Sequence, residues 1–96
     1  MYLKVHSSGS NVVVAICDKE ILGKTLKEGN ITVTVNEGFF CGELVDSESV
    51  EKALKNATTA NLFGVKCIQC AINCGVVNPQ SVIYINGVPH AQVFRI

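Results

Sequence analysis

The sequence predicts an α+β domain in which about six mostly antiparallel strands carry two consecutive helices. Three observations predict it. Short β-rich runs recur at both ends of the chain, turn signals join neighbouring runs into hairpins, and the middle third switches to a helical period. Residues 1–96 form one domain, a length that buries enough apolar surface for a core without staples. Hydrophobic residues make up 48% and charged residues 17% of the chain, which excludes a disordered class.

Residues 2–6 and 12–17 read as strands around the polar loop 7–11, a hairpin. Residues 19–26 hold about one turn of helix, ended by the break at Glu28-Gly29-Asn30. Residues 31–35 alternate and form a strand with Ile31, Val33 and Val35 inward. Residues 38–45 are the fourth strand, bent or bulged at Gly42. Ser47 is a good N-cap, and Glu48 and Glu51 suit the positive end of a helix dipole. Val50, Ala53, Leu54 and Ala57 then mark the apolar stripe of that helix.

Asn61 is expected to cap a second helix running to about residue 74, mostly buried, with Lys66, Gln69 and Asn73 as its polar strip. Gly75 ends it, and Pro79 prevents its continuation. Residues 81–85 and 90–96 are strands joined through Asn86-Gly87-Val88-Pro89, where Asn-Gly signals a hairpin and Pro89 lengthens the loop and suits an edge. The expected order is ββ(short α)ββααββ.

No apolar run approaches the ~18–20 residues of a membrane span, and the first residues read directly as a strand rather than a signal peptide. The expectation is a cytoplasmic protein with reduced thiols, its five cysteines being an odd number. The formal charge is zero but polarised. Residues 1–48 hold four lysines against seven acids, net −3, whereas residues 49–96 hold Lys52, Lys55, Lys66 and Arg95 against Glu51, net +3. Those four cations are candidate contacts for a phosphate backbone.

A near-match to a phosphate-binding loop runs from Asp18 to Gly23-Lys24-Thr25. It fails physically, because Asp18 and Glu20 would repel phosphate and Gly29 leaves no room for the helix that such a loop opens. Cys67, Cys70 and Cys74 share one helix face, but one helix interior lacks the paired knuckles of structural zinc. They read as small core hydrophobes, with no metal or other cofactor expected. His6 and His90 sit at strand ends without a nucleophile motif, and Glu37, Glu43 and Asp46 read as solvated loop acids.

Four segments in order carry a resemblance over essentially the whole chain. They are Cys17-Asp18-Lys19-Glu20-Ile21-Leu22-Gly23-Lys24, Phe39-Phe40-Cys41-Gly42-Glu43, Ala60-Asn61-Leu62-Phe63-Gly64 and Val88-Pro89-His90-Ala91-Gln92. Together they resemble an archaeal family of uncharacterised proteins, domain of unknown function 424. The helix cysteines depart from its pattern, as does Phe40, where that pattern often has tyrosine. The resemblance implies an archaeal cytosolic source and a link to RNA or translation. It also makes Asp18, Glu43, Asn61 and His90 the polar site candidates.

Two functions follow as expectations. The first is a non-catalytic module that binds RNA or a translation-linked protein. The alternative is a small enzyme or ligand-binding protein with a pocket near Asn61, His90 and an acid such as Asp18 or Glu43.

Overall fold

A computed structural model of the chain describes residues 1–94. Strands β1 (Tyr2–Ser8), β2 (Asn11–Cys17), β5 (Glu43–Leu44), β6 (Thr59–Phe63), β7 (Ile83–Ile85) and β8 (Val88–Phe94) form one sheet in the order β5-β1-β2-β6-β8-β7. Among the described residues, β2 and β6 pair in parallel and the other pairs of this sheet are antiparallel. Strands β3 (Thr25–Glu28) and β4 (Ile31–Thr34) make a separate two-stranded sheet. The helices are α1 (Glu37–Phe40), α2 (Ser47–Asn56) and α3 (Val65–Asn73). The α+β class and the mostly antiparallel six-stranded sheet are as expected from the sequence.

Side-chain alternation splits the core in two. Val14, Ile16, Ala60, Leu62 and Ala91 meet Val50, Leu54 and Ala71, so that α2 and α3 cover one face. Ala15, Cys17, Phe63 and Ile85 point the other way, under Phe40, Leu26 and Val35. Among the described residues that second face is roofed by the helical turn Lys19–Ile21, α1 and the β3–β4 hairpin, short elements that leave part of the sheet uncovered.

Several boundaries differ from the expectation, each for a physical reason. The first hairpin needs only Gly9 and Ser10 for its turn, with Gly9 at φ 59°, so pairing runs out to Ser8 and Asn11. Residues 38–45 are not one strand. The Asn36 side chain accepts the Phe39 N–H at 3.0 Å and starts α1, which drives Phe40 into the second core. Asp46, not Ser47, caps α2, its carboxylate accepting the Ser49 N–H at 3.0 Å. Ile31 is 47% exposed, because the hairpin stands on the second core mainly through Leu26 and Val35.

The largest difference lies at Asn61, which caps nothing. Residues 59–63 are the strand between β2 and β8, and α3 starts only after Gly64, whose φ of 117° turns the chain. Short apolar runs do not distinguish strand from helix locally, and here two flanking strands decide. Pro89 lies within β8 rather than in the loop, just past the last β6 pair, where its carbonyl still accepts the Gly64 N–H at 2.9 Å. The final turn is Asn86-Gly87, both at positive φ.

Candidate functional site: the second face of the sheet

Strand register sets out which side chains share the uncovered face. One row runs His6, Val13, Thr59, Phe94; the next runs Lys4, Ala15, Asn61, Gln92; the third runs Tyr2, Cys17, Phe63, His90, Ile83. Among the described residues, no Asp or Glu occupies a strand position on this face. Phe94 is 71% exposed there, although an aromatic ring in a strand normally finds cover.

Five rings cross the face in series. His6 stacks on Phe39 with centroids 4.5 Å apart, Phe39 meets Phe40 edge-on at 5.2 Å, and Phe40 meets Phe63 edge-on at 5.6 Å. Phe63 then stacks on His90 at 3.9 Å. Each terminal histidine is oriented by a main-chain carbonyl. His6 Nε2 lies 2.9 Å from the Phe39 oxygen and His90 Nδ1 lies 2.8 Å from the Leu62 oxygen. A carbonyl only accepts, so the proton of neutral His90 sits on Nδ1 and Nε2 carries the lone pair. Lys4 Nζ donates to the Gly38 carbonyl at 2.8 Å, tying α1 down over β1.

Asn61 is half-buried in the middle row, and its Oδ1 is buried with no hydrogen-bond partner. An unsatisfied buried acceptor costs about 1–3 kcal/mol, and native structures rarely keep one without cause. Gln92, directly opposite on β8, is exposed.

The remaining sequence candidates lie elsewhere. Asp18 is only 2% exposed, and its two carboxylate oxygens accept the main-chain N–H groups of Lys66 and Cys67, each at 2.9 Å. It caps α3 from the end of β2, and its acceptors are spent on that. Glu43 sits in edge strand β5 opposite Leu3, whose side chain belongs to the helix-side core. Lys52 and Lys55 lie on α2 and Lys66 at the start of α3, all on the helix side of the sheet. Lys52 pairs with Glu48 at 3.8 Å. Arg95 lies outside the described residues.

The three helix cysteines diverge. Cys67 Sγ donates to the Phe63 carbonyl at 3.0 Å, Cys70 Sγ to Ser47, and Cys74 Sγ to Ala71. Burial first, then the charge of Asp18, pushes the Cys17 thiol up to about 11 and raises Cys67 as well. Burial likewise raises Cys70. Such thiols stay protonated and unreactive at neutral pH. Among the described residues no group of three or more His, Cys, Asp or Glu side chains is arranged to hold a metal ion.

Depressions mark the surface of the described residues. One of about 500 Å³ lies between α2 and α3 beside Met1, and one of about 230 Å³ lies beside Gln92 and Phe94. Neither is lined by Asn61 or His90. Among the described residues no helix is long and apolar enough to cross a membrane.

Burial lowers the pKa of His90 below its ordinary value, against the opposing pull of the Leu62 carbonyl. The unfolded chain therefore takes up this proton first as pH falls. The contribution of neutral His90 to stability is complete above about pH 6.5 and is lost as pH drops through the lower, folded value. Denaturant unfolding at pH 7.5 and pH 5 is expected to show a larger acid loss for the native chain than for His90→Gln. Equal losses would mean that this ring does not titrate with folding.

Two of the residues that define the open face, Gln92 and Phe94, alternate with Ala91 and Val93 along β8, whereas Lys4 sits among the half-buried residues of β1 and His6 lies between exposed Val5 and Ser7. That period-two pattern was the available signal, but it needed the register to become a surface. Among solved structures, an uncharacterized conserved protein from Methanopyrus kandleri is similar, with a TM-score of 0.80 and 24% identity over 99% of this chain and 93% of that one. Such a likeness shows the fold alone. No curated protein matches. The family model described as "Protein of unknown function (DUF424)" matches residues 5–96, which contain all four sequence segments noted above, and the chain therefore belongs to the DUF424 family.

Proposed function

We propose that the protein is a non-catalytic binding module for single-stranded RNA, acting in the cytoplasm of an archaeon, and that it binds through the second face of the sheet. The observation that carries the reading is the make-up of that face. It has no carboxylate at its strand positions, one fully presented ring in Phe94, two histidines, one lysine and two carboxamides, all on strands of one sheet. Sheets that bind single strands use this combination, with rings for base stacking and polar groups for base edges. A polyanion also avoids acids, and this face offers none at its strand positions.

The contact thereby moves from the helix lysines to the sheet. Few cations are near it, so affinity should rest on stacking more than on phosphate neutralisation. The expected salt dependence is shallow, a log–log slope no steeper than about −2 at ~0.7 per phosphate. Phe94→Ala is expected to weaken binding about ten-fold, the loss of one stacked base. Removing Lys52 and Lys55 together should change it little. Fluorescence anisotropy with labelled RNA decamers at two salt concentrations reads all three effects. Binding weaker than about millimolar, or an unaltered affinity in Phe94→Ala, overturns the proposal. Retention of a protein partner that Phe94→Ala releases, without RNA binding, would assign the same face to protein recognition instead.

A further inference from the structure

We infer that Asn61, Gln92 and His90 form a base-reading cluster selective for the amino edge of an adenine-type base, an inference that rests on the single-stranded RNA reading above. Register places Asn61 and Gln92 directly opposite each other on β6 and β8, with His90 one step along the same face of β8. Asn61 Oδ1 is buried without a hydrogen-bond partner, the Gln92 side chain is exposed, and His90 uses only Nδ1. Three neighbouring groups on one rigid sheet thus hold unused hydrogen-bonding capacity, one of them at the cost of a buried, unpaired oxygen.

The kind of capacity selects the ligand. His90 Nε2 is an acceptor, because its partner nitrogen donates to Leu62. The Asn61 oxygen is a second acceptor, buried in the free protein, and a turn of the carboxamide about its terminal torsion would be required to offer it to a base. Two acceptors call for donors. The exocyclic amines of adenine and cytosine supply them, whereas uracil and guanine carry a carbonyl oxygen at the corresponding position. A carboxamide also presents a donor beside its acceptor, the complement of the adenine N6–H and N7 pair. Phe94, two residues beyond Gln92 on the same face, offers the ring on which a purine stacks more extensively than a pyrimidine.

The test compares A, C and U decamers, with adenosine monophosphate as a free-nucleotide arm, using the native chain and three variants. The A decamer should bind about ten-fold or more tightly than the U decamer, with C between them. Gln92→Ala and Asn61→Ala should bring the A-to-U ratio towards one, whereas Phe94→Ala should weaken both oligomers, the A decamer somewhat more, and leave a preference for A over U. The intrinsic stacking of oligo(A) is common to all variants and drops out of that comparison. Equal binding of A, C and U by the native chain, or a ratio that survives Gln92→Ala and Asn61→Ala, overturns the base-reading cluster while leaving the RNA reading in place. Binding of adenosine monophosphate without any oligomer supports the cluster as a free-nucleotide site and removes the RNA reading. Absence of binding in every arm removes both.

Discussion

Gly64→Ala is expected to destabilise the fold by about 3–5 kcal/mol, among the largest effects of any single substitution in this chain. Gly64 joins β6 to α3 at φ 117°, a conformation that costs a residue with a Cβ roughly 1–3 kcal/mol. The added methyl would also fall against the Asp18 carboxylate, with Oδ2 only 2.7 Å away and Cγ closer still. Asp18 cannot yield, because both of its oxygens are engaged at the start of α3. Gly75 provides the comparison. It too has positive φ, 80°, but nothing lies within 4 Å of a Cβ there. Gly75→Ala should therefore show the backbone cost alone, about 1 kcal/mol. Urea unfolding of the two variants checks the difference, and equal destabilisation would remove the Asp18 contact from the explanation.

Asp18→Ala should cost about 3 kcal/mol, since it removes two hydrogen bonds to a charged acceptor, each worth ~1.5–3 kcal/mol, and strands two N–H groups. Asp18→Asn keeps one acceptor oxygen and should lose less. In the double variant with Gly64→Ala, the methyl no longer meets a carboxylate, so the combined cost should fall short of the two single costs added together. RNA affinity of the folded fraction should be unchanged in Asp18→Ala, because this carboxylate faces a helix terminus rather than the open sheet face. A stable Asp18→Ala protein with lost RNA binding would return Asp18 to the ligand site.

Asp18 stood out as a site candidate because it lies in a segment that resembles the family pattern, and a polar residue in such a segment reads equally as a cap or as a site. Its partners, the N–H groups of Lys66 and Cys67, lie 48 and 49 residues away. Nothing local marks them. The helix lysines were readable as charge but not as placement. Lys52 and Lys55 follow a helical period and turn outward with α2, and the side of the sheet that α2 covers depends on the packing of Val50 and Leu54.

The sequence by itself determined the class, the existence of the first and last hairpins though not their exact turns, the amphipathic α2 and the family, because these rest on turn chemistry, periodicity and short motifs within a few residues. Only the tertiary structure decided that residues 59–63 are a strand. Its five residues are too short to declare a period against a neighbouring helix, and pairing with β2 and β8 supplies the hydrogen bonds. The same pairing sets Asn61 opposite Gln92, four strands' worth of side chains into a common face, and one buried oxygen without a partner. Sheet faces are assembled by register between distant segments, and a chain read in order does not contain that register.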